Sequence, residues 1–201
     1  DAGSVTEEVK VATILSCSED ELSLELKAQI IVVLESAWPD ERSLEAQLRA
    51  PLHDPRQRPR IVVLLENDEV LSYLVIPSTT SHVASHSYRA SGLSAVVTSP
   101  QHRNQGHGHR IVTAARELIA ASDADIGVFT CDPPLVDFYV GCGWTLMERT
   151  IVIGGTRDKP FRADALGKRT LMGFFSDYAR QHRQAFEGAE LYLELGEGDL
   201  W

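Results

Sequence analysis

Val9, Val11 and Thr13 alternate with Lys10 and Ala12, the period of a half-buried strand, so a first strand is predicted over 8–15. Ser18 followed three residues later by Glu21 forms a capping box. It predicts a helix through about Ser36, with Leu22, Leu26, Ile30, Val33 and Leu34 as the apolar stripe. Asp40 is placed to N-cap a second short helix carrying Leu44, Ala46 and Leu48. Three prolines and three arginines mark Pro51–Arg60 as a loop. Ile61–Leu65 and Val70–Ile76 flank the polar run Glu66–Glu69 and predict a β-hairpin. Residues 77–87, rich in Ser, Thr and His, read as a loop, and Tyr88–Thr98 as a further strand.

Beyond Thr98, a Gly-containing loop at Asn104–Gly108 leads into a helix over His109–Ala121, with Ile111, Ala115, Leu118 and Ile119 on one side. Ile126–Cys131 is a short buried strand, and Pro133 suits the first turn of a short helix ending near Gly141. Thr145–Ile153 reads as a strand and 154–168 as a polar loop. Thr170–Phe175 and Leu191–Leu195 read as late strands with a helical stretch between them. The order β-α-α-β-β-β-α-β-α-β-β, hairpins first and crossover helices later, argues an α/β or α+β fold with a mixed sheet. It is neither a helix bundle nor a sandwich.

Composition narrows the class. The 201 residues suit one domain, and 43% hydrophobic with 24% charged residues is a globular balance. Nineteen Lys and Arg against 29 Asp and Glu leave a net charge of −10. Nucleic acid and anionic membranes are poor partners for such a surface, and a cationic ligand suits it better. The longest aliphatic run, Ile30–Leu34, is too short to span a bilayer, and no signal-peptide pattern opens the chain. Cys17, Cys131 and Cys142 contain no C-x-x-C pair, so neither a disulfide framework nor a zinc site is expected, and a reducing cytoplasm is the expected compartment. Asp1–Ser4 reads as an expression-tag remnant, leaving 5–201 as the domain.

The most informative segment runs from Val96-Val97-Thr98 through Arg103-Asn104-Gln105-Gly106-His107-Gly108-His109. A β-branched strand enters a Gly-containing turn that opens a helix. Glycines let the backbone approach an anion, and the free N–H groups of the first helical turn face it. The lysine of a P-loop is missing, and Ile111 stands where a dinucleotide fingerprint needs its third glycine. What remains is R-x-x-G-x-G, met by Arg103, Gly106 and Gly108. That resembles the coenzyme A pyrophosphate loop of the GNAT acetyltransferases. Asp137-Phe138-Tyr139-Val140-Gly141-Cys142-Gly143-Trp144 is similar to the same family's F-Y-x-x-x-G-[FW] signature, at the right spacing after the loop.

The resemblance implies a single GNAT-like domain, a twisted mixed sheet with helices on both faces, using acetyl-CoA. It implies that backbone groups of Ala95, Val96 and Val97 hold the pantetheine arm and polarise the thioester carbonyl. The amides from Arg103 to His109 would cradle the pyrophosphate. Tyr139 would protonate the departing thiolate, or else pack against the pantetheine arm.

A third element narrows the branch. Ala189-Glu190-Leu191 and the closing Gly198-Asp199-Leu200-Trp201 resemble the end of the aminoglycoside 2′-N-acetyltransferases, which confer antibiotic resistance. In that branch the final tryptophan and its carboxylate line the antibiotic site. Asp40 falls where the branch carries a substrate-binding aspartate. The implied substrate-binding set is Asp40, Ser94, Asp199 and Trp201. That branch usually carries a glutamate at the position of Ser94, and serine cannot do a carboxylate's work. Either the base lies elsewhere, or the substrate differs, as in the kasugamycin-acetylating class.

Glu187, Glu190, Glu194, Glu197 and Asp199 give the last fifteen residues five negative side chains without a Lys or Arg. Such a run suits a site for a polycationic antibiotic; the alternative is a solvated tail. His82 and His86, in the predicted loop before Ser94, are candidates to accept the amine proton, or plain surface histidines. His102, His107 and His109 flank the phosphate loop without a Cys or carboxylate cluster, so no metal is expected. Cys131 reads as a small buried hydrophobe rather than a nucleophile. Two rivals stay open: a related enzyme acting on a polyamine or a peptide N-terminus, and a non-catalytic acyl-CoA-binding module. The oligomeric state, a homodimer included, is also open.

Overall fold

The computed structural model describes residues 11–201. Residues 1–4 and the 8–10 portion of the predicted first strand lie outside them. β1 (Thr13–Cys17) is followed by a 3-10 turn at Glu19–Glu21, then α1 (Leu24–Glu35) and α2 (Leu44–Arg49). The Ser18–Glu21 box caps only that short turn, and α1 takes its cap from Ser23, whose hydroxyl accepts from the Leu26 N–H. Ser43, not Asp40, caps α2. Asp40 instead accepts from the backbone and guanidinium of Arg42.

β2 (Arg60–Glu66) and β3 (Glu69–Ile76) form the expected hairpin. The supposed loop at 77–87 is mostly strand. β4 (Ser78–Val83) pairs with β5 (His86–Ser91) across a tight turn at Ala84-Ser85, both at positive φ. Its period of two is real, since Ser81 and Val83 are buried, but polar residue types conceal it. Tyr88–Thr98 is two strands rather than one. β5 ends at Ser91, the chain breaks at Gly92-Leu93, and β6 (Ser94–Thr98) joins another sheet.

α3 (His107–Ala120), β7 (Ile126–Cys131) and α4 (Val136–Gly141) follow. The predicted Thr145–Ile153 strand divides into β8 (Thr145–Leu146) and β9 (Ile151–Gly155), and the loop after it holds β10 (Pro160–Arg162). β11 (Arg169–Phe174), α5 (Asp177–Gln181) and β12 (Glu190–Leu193) complete the chain.

The strands form a four-stranded sheet, β1-β2-β3-β6, and an eight-stranded one, β10-β9-β12-β4-β5-β7-β11-β8. Pairing is mixed: β5–β7 and β9–β12 are parallel and the others antiparallel. One apolar cluster joins Ile30 and Val33 of α1 to Val63, Tyr73 and Val97 on one face of the smaller sheet. The other face packs Val62, Leu64 and Leu74 against Ile111 and Ala115 of α3. Each such fully buried aliphatic side chain stabilises the fold by roughly 1.5–3 kcal/mol. β6 is an edge strand of the smaller sheet and does not pair with β7, which lies between β5 and β11 in the larger one, so the two sheets part there. No helix among the described residues is long and apolar enough to cross a membrane.

Candidate active site

A cleft of about 650 Å³ opens between β6 and α4. Its walls bring together Val96 and Val97 of β6, the turn residues Arg103, Asn104 and Gly106, and His107, Gly108 and His109 of α3. Phe138 and Tyr139 of α4 close the opposite side. Of the predicted cofactor-binding set, Ala95 and Gln105 are not on the lining.

Gly106 N-caps α3 at φ +82, and a Cβ there would meet no protein atom within 4 Å. The space beside the cap is therefore open to a ligand, and the left-handed conformation itself favours glycine. The first helical hydrogen bond runs from the Arg110 N–H to the Gly106 carbonyl, so the amides of the first turn are left for an anion. Arg103 is exposed, and its Nε donates to the Thr98 carbonyl at 3.3 Å.

β6 carries a bulge. Tyr73 of β3 faces Val97 and Val75 faces Ser94, so Ala95 and Val96 together oppose Leu74. Ala95 has φ 52. A bulge takes backbone groups out of the ladder and leaves them for a ligand.

Tyr139 is 7% exposed, wedged edge-on against Phe129 and Phe138 with ring centroids 4.8 and 5.0 Å away. Burial, with the Cys131 and Cys142 thiols nearby, pushes its phenol well above the usual tyrosine range, so the hydroxyl keeps its proton. Cys131 is buried and its thiol is pushed up to about 11 by that burial and by Asp132, which suits an inert core residue.

The chain's last residues return to the far end of β6. Trp201 is buried, its carbonyl accepts from the Thr130 N–H of β7, and its indole lies over Gly92, two residues before Ser94. Gln57 ties the segment together: its Oε1 accepts from the Trp201 indole and its Nε2 donates to Asp199, each at 2.9 Å. The acidic run is largely neutralised, because Glu190, Glu194 and Glu197 pair with Arg162, Arg157 and Lys159. β12 is a strand between β9 and β4, with Leu191 and Leu193 fully buried, and not a solvated tail. Asp199 is left facing Gln57.

Asp40 stands apart from Tyr139. It shares a cavity of about 210 Å³ with Trp38, Glu35 and His53, and hydrogen bonds from Arg42 hold its carboxyl below the usual range. His82 and His86 do not line the cleft. They flank the turn of the β4–β5 hairpin, His82 with Ser87 and His86 against Tyr178 and His182, so neither is placed to act on an amine there. Among the described residues no group of three or more His, Cys, Asp or Glu could hold a metal ion.

His53 and Tyr73 were not singled out by the sequence. His53 Nε2 lies 2.6 Å from the Tyr73 hydroxyl. Tyr73 reads as an ordinary core aromatic, and His53 as one polar residue in a Pro-rich loop, so no spacing links them.

An acetyltransferase (GNAT) domain family matches residues 20–147. No curated protein matches the chain. Among solved structures, the chain is similar to a GNAT family N-acetyltransferase (YhbS) of Escherichia coli in complex with CoA, with 15% identity and a TM-score of 0.62 over 94% of this chain and 92% of that one. It is similar to glucosamine-6-phosphate N-acetyltransferase of Arabidopsis thaliana, 15% identical with a TM-score of 0.53, over 66% and 92% of the two chains. A GCN5-related N-acetyltransferase of Kribbella flavida is 12% identical with a TM-score of 0.55 over 69% of this chain and 34% of its own, so the chain spans about a third of that protein. The Gly106-capped helix, the bulged strand and the tyrosine of α4 thus coincide with a family match over most of the chain, and the chain belongs to the GNAT acetyltransferase family.

Proposed function

We propose that the chain transfers an acetyl group from acetyl-CoA to the 2′-amine of an aminoglycoside, kasugamycin among the candidates, with resistance as the consequence. The observation that carries the transferase reading is the cleft where the Gly106-capped helix, the β6 bulge and Tyr139 converge. The residues present fit a coenzyme A thioester: first-turn amides and Arg103 for the pyrophosphate, and the backbone of Ala95–Val97 for the pantetheine arm. Acetyl-CoA supplies an activated acyl group on a thiol leaving group. Backbone groups freed by the bulge polarise the carbonyl, and Tyr139 donates its proton to sulfur as the C–S bond breaks. Holding both partners in line supplies much of the rate.

The chain's acid surplus favours a polycation. Asp199, fixed by Gln57, and the Trp201 segment lie at the far end of β6 from the phosphate loop, the end an acceptor would occupy. Asp40 lines a separate cavity, ion-paired with Arg42, and would hold an outlying ammonium. In a polyamine antibiotic, like charges lower the pKa of each amine, so a neutral fraction exists near pH 7–8. The Arabidopsis neighbour, named for an amino-sugar acceptor, is in keeping with this class.

Thiol release from acetyl-CoA, measured against kasugamycin, other aminoglycosides, spermidine and a glycine-terminated peptide, tests the proposal. Turnover of an aminoglycoside, with the acetyl group located on the 2′-amine by NMR, is the expected result. Turnover of spermidine or the peptide alone replaces the acceptor. Tight CoA binding with no turnover of any amine leaves an acyl-CoA-binding module.

A further inference from the structure

Ser94 leaves the reaction without an evident proton acceptor. We propose that His53 takes the proton from the acceptor amine at its Nδ1, with Tyr73 holding the imidazole in place; this rests on the acetyl-transfer reading above.

Tyr73 lies on β3 directly opposite Val97 of β6, and their side chains share the face that α1 covers. Ala95, the bulge residue, packs against the same cluster. Tyr73 is fully buried, and its hydroxyl is thus fixed one strand away from the backbone groups that would meet the thioester. His53 reaches that hydroxyl from the Pro51–Pro59 loop, with the two rings 6.0 Å apart and only 11° from parallel. The 2.6 Å bond uses Nε2. Nδ1 has no partner among the described residues, and the His53 side chain is only part-buried. His53 lies outside the 650 Å³ cleft, on the wall between two cavities, one of about 570 Å³ beside Glu19 and one of about 210 Å³ beside Trp38 and Asp40; its link to the cleft is Tyr73, paired with the cleft-lining Val97.

The arrangement is that of a base oriented by a third group. With hydrogen on Nε2, the imidazole donates to the Tyr73 oxygen and presents the Nδ1 lone pair. Burial keeps Tyr73 well above its usual range, so its oxygen stays a neutral acceptor and does not draw the ring into an ion pair. Burial likewise lowers the His53 pKa, against opposing pulls from Glu19 and Asp199. The ring rests neutral, and two carboxylates stand ready to stabilise the imidazolium.

The charged groups around it come from every packed element. Glu19, after β1, is paired with Lys27 of α1 at 2.9 Å. Arg49 of α2 and Arg58 of the same loop edge the larger cavity. Glu35 and the Asp40–Arg42 pair edge the smaller one. Asp199 approaches from the chain's last turn.

The step balances without a further reagent. The amine lone pair forms the C–N bond, and the C–S bond breaks with its electrons on sulfur. The surplus proton on nitrogen passes to His53 Nδ1, and the thiolate takes the hydroxyl proton of Tyr139. Bulk water then restores both groups.

Two measurements on the full chain test this. In ¹⁵N-resolved NMR of the imidazoles, assigned by comparison with His53→Gln, hydrogen is expected on Nε2 at pH 7, with titration below the ordinary histidine value of about 6.5. Hydrogen on Nδ1 overturns the proposal whatever the acceptor. In kinetics with whichever of the four amine classes above the wild type turns over, His53→Gln should lower kcat by about 10²-fold or more. The acid limb of the kcat/KM profile should vanish with it, while the Kd of CoA and the Tm stay close to wild type. Tyr73→Phe should keep the limb and lose less than about tenfold, because the base survives without its anchor. An acid limb that persists in His53→Gln, with kcat within about threefold of wild type, overturns the proposal. Turnover of a different amine replaces only the acceptor and leaves the His53 comparison decisive. A wild type that acetylates no amine overturns the transferase reading and the base together.

Discussion

The indole of Trp201 lies so close to Gly92 that a Cβ on that glycine would fall 2.3 Å from Cε3 of the ring. Gly92 is also where the chain leaves β5 for β6, so one residue both divides the two sheets and makes room for the end of the chain. Gly92→Ala should push the indole out of its seat and off Gln57. The expected cost is about 1–3 kcal/mol in denaturant unfolding, the usual penalty for overpacking. KM for the acceptor should rise strongly while the Kd of acetyl-CoA stays nearly intact. Deleting Trp201 should raise that KM too, but a side chain only 4% exposed also carries about 3–5 kcal/mol of packing, so folding must be checked alongside. An unaltered acceptor KM in folded Gly92→Ala would remove Trp201 from the acceptor site.

Gly106→Val tests the phosphate loop. Reasoning from the motif alone, such a change should spare stability. The φ of +82 adds a strain of about 1–3 kcal/mol for a β-branched residue, although the space itself is open. CoA affinity should fall by more than that strain explains, as judged by calorimetry on protein shown to be folded. Wild-type affinity for CoA would mean that the pyrophosphate binds elsewhere.

The phosphate loop was legible because its chemistry forces rare residues into a fixed spacing, Arg103 to Gly106 to Gly108, between a strand and a helix. The β2–β3 hairpin was legible because Ile61–Leu65 and Val70–Ile76 are plainly apolar. β4 was not. Its Ser-Thr-Thr-Ser-His-Val sequence looks like a loop, and only pairing with β5 and β12 on either side makes a strand of it. The break at Gly92-Leu93 was hidden for the converse reason, since β-branched and aromatic residues run on past it. The acidic end misled in a third way: its glutamates were counted as free charge, but Arg157, Lys159 and Arg162 meet them from a hairpin that no local signal predicts. His53 and Tyr73 meet only through tertiary packing, twenty residues apart in the chain.

Tyr139→Phe removes one oxygen and keeps the ring that touches Phe129 and Phe138. If the hydroxyl supplies the thiolate's proton, kcat should fall on the order of 10²-fold with the Kd of acetyl-CoA little changed. Because burial raises the phenol above 10.0, it stays protonated through the neutral range, and wild-type kcat should show no alkaline fall attributable to it below about pH 10. An unchanged kcat across pH in Tyr139→Phe would reduce this residue to packing.

The half-buried His53 makes stability depend on pH with a definite sign. Its folded pKa lies below the unfolded value of 6.5, because burial disfavours the imidazolium. As pH falls through 6.5 the unfolded chain binds a proton that the native state resists, so stability is lost on acidification until the folded pKa is reached. Carboxylates held down by arginine, Asp40 by Arg42, Asp54 by Arg56 and Asp164 by Arg162, act with the same sign but below their ordinary 3.8. The two windows are therefore separable. Between pH 6.5 and 5, the wild-type Tm should drop, and His53→Gln should flatten that drop while leaving the steeper loss below pH 4 in place. Parallel Tm curves for the two proteins across pH 5–6.5 would mean that the imidazole titrates alike in the folded and unfolded chain, and the neutral resting state required of a base would lose its support.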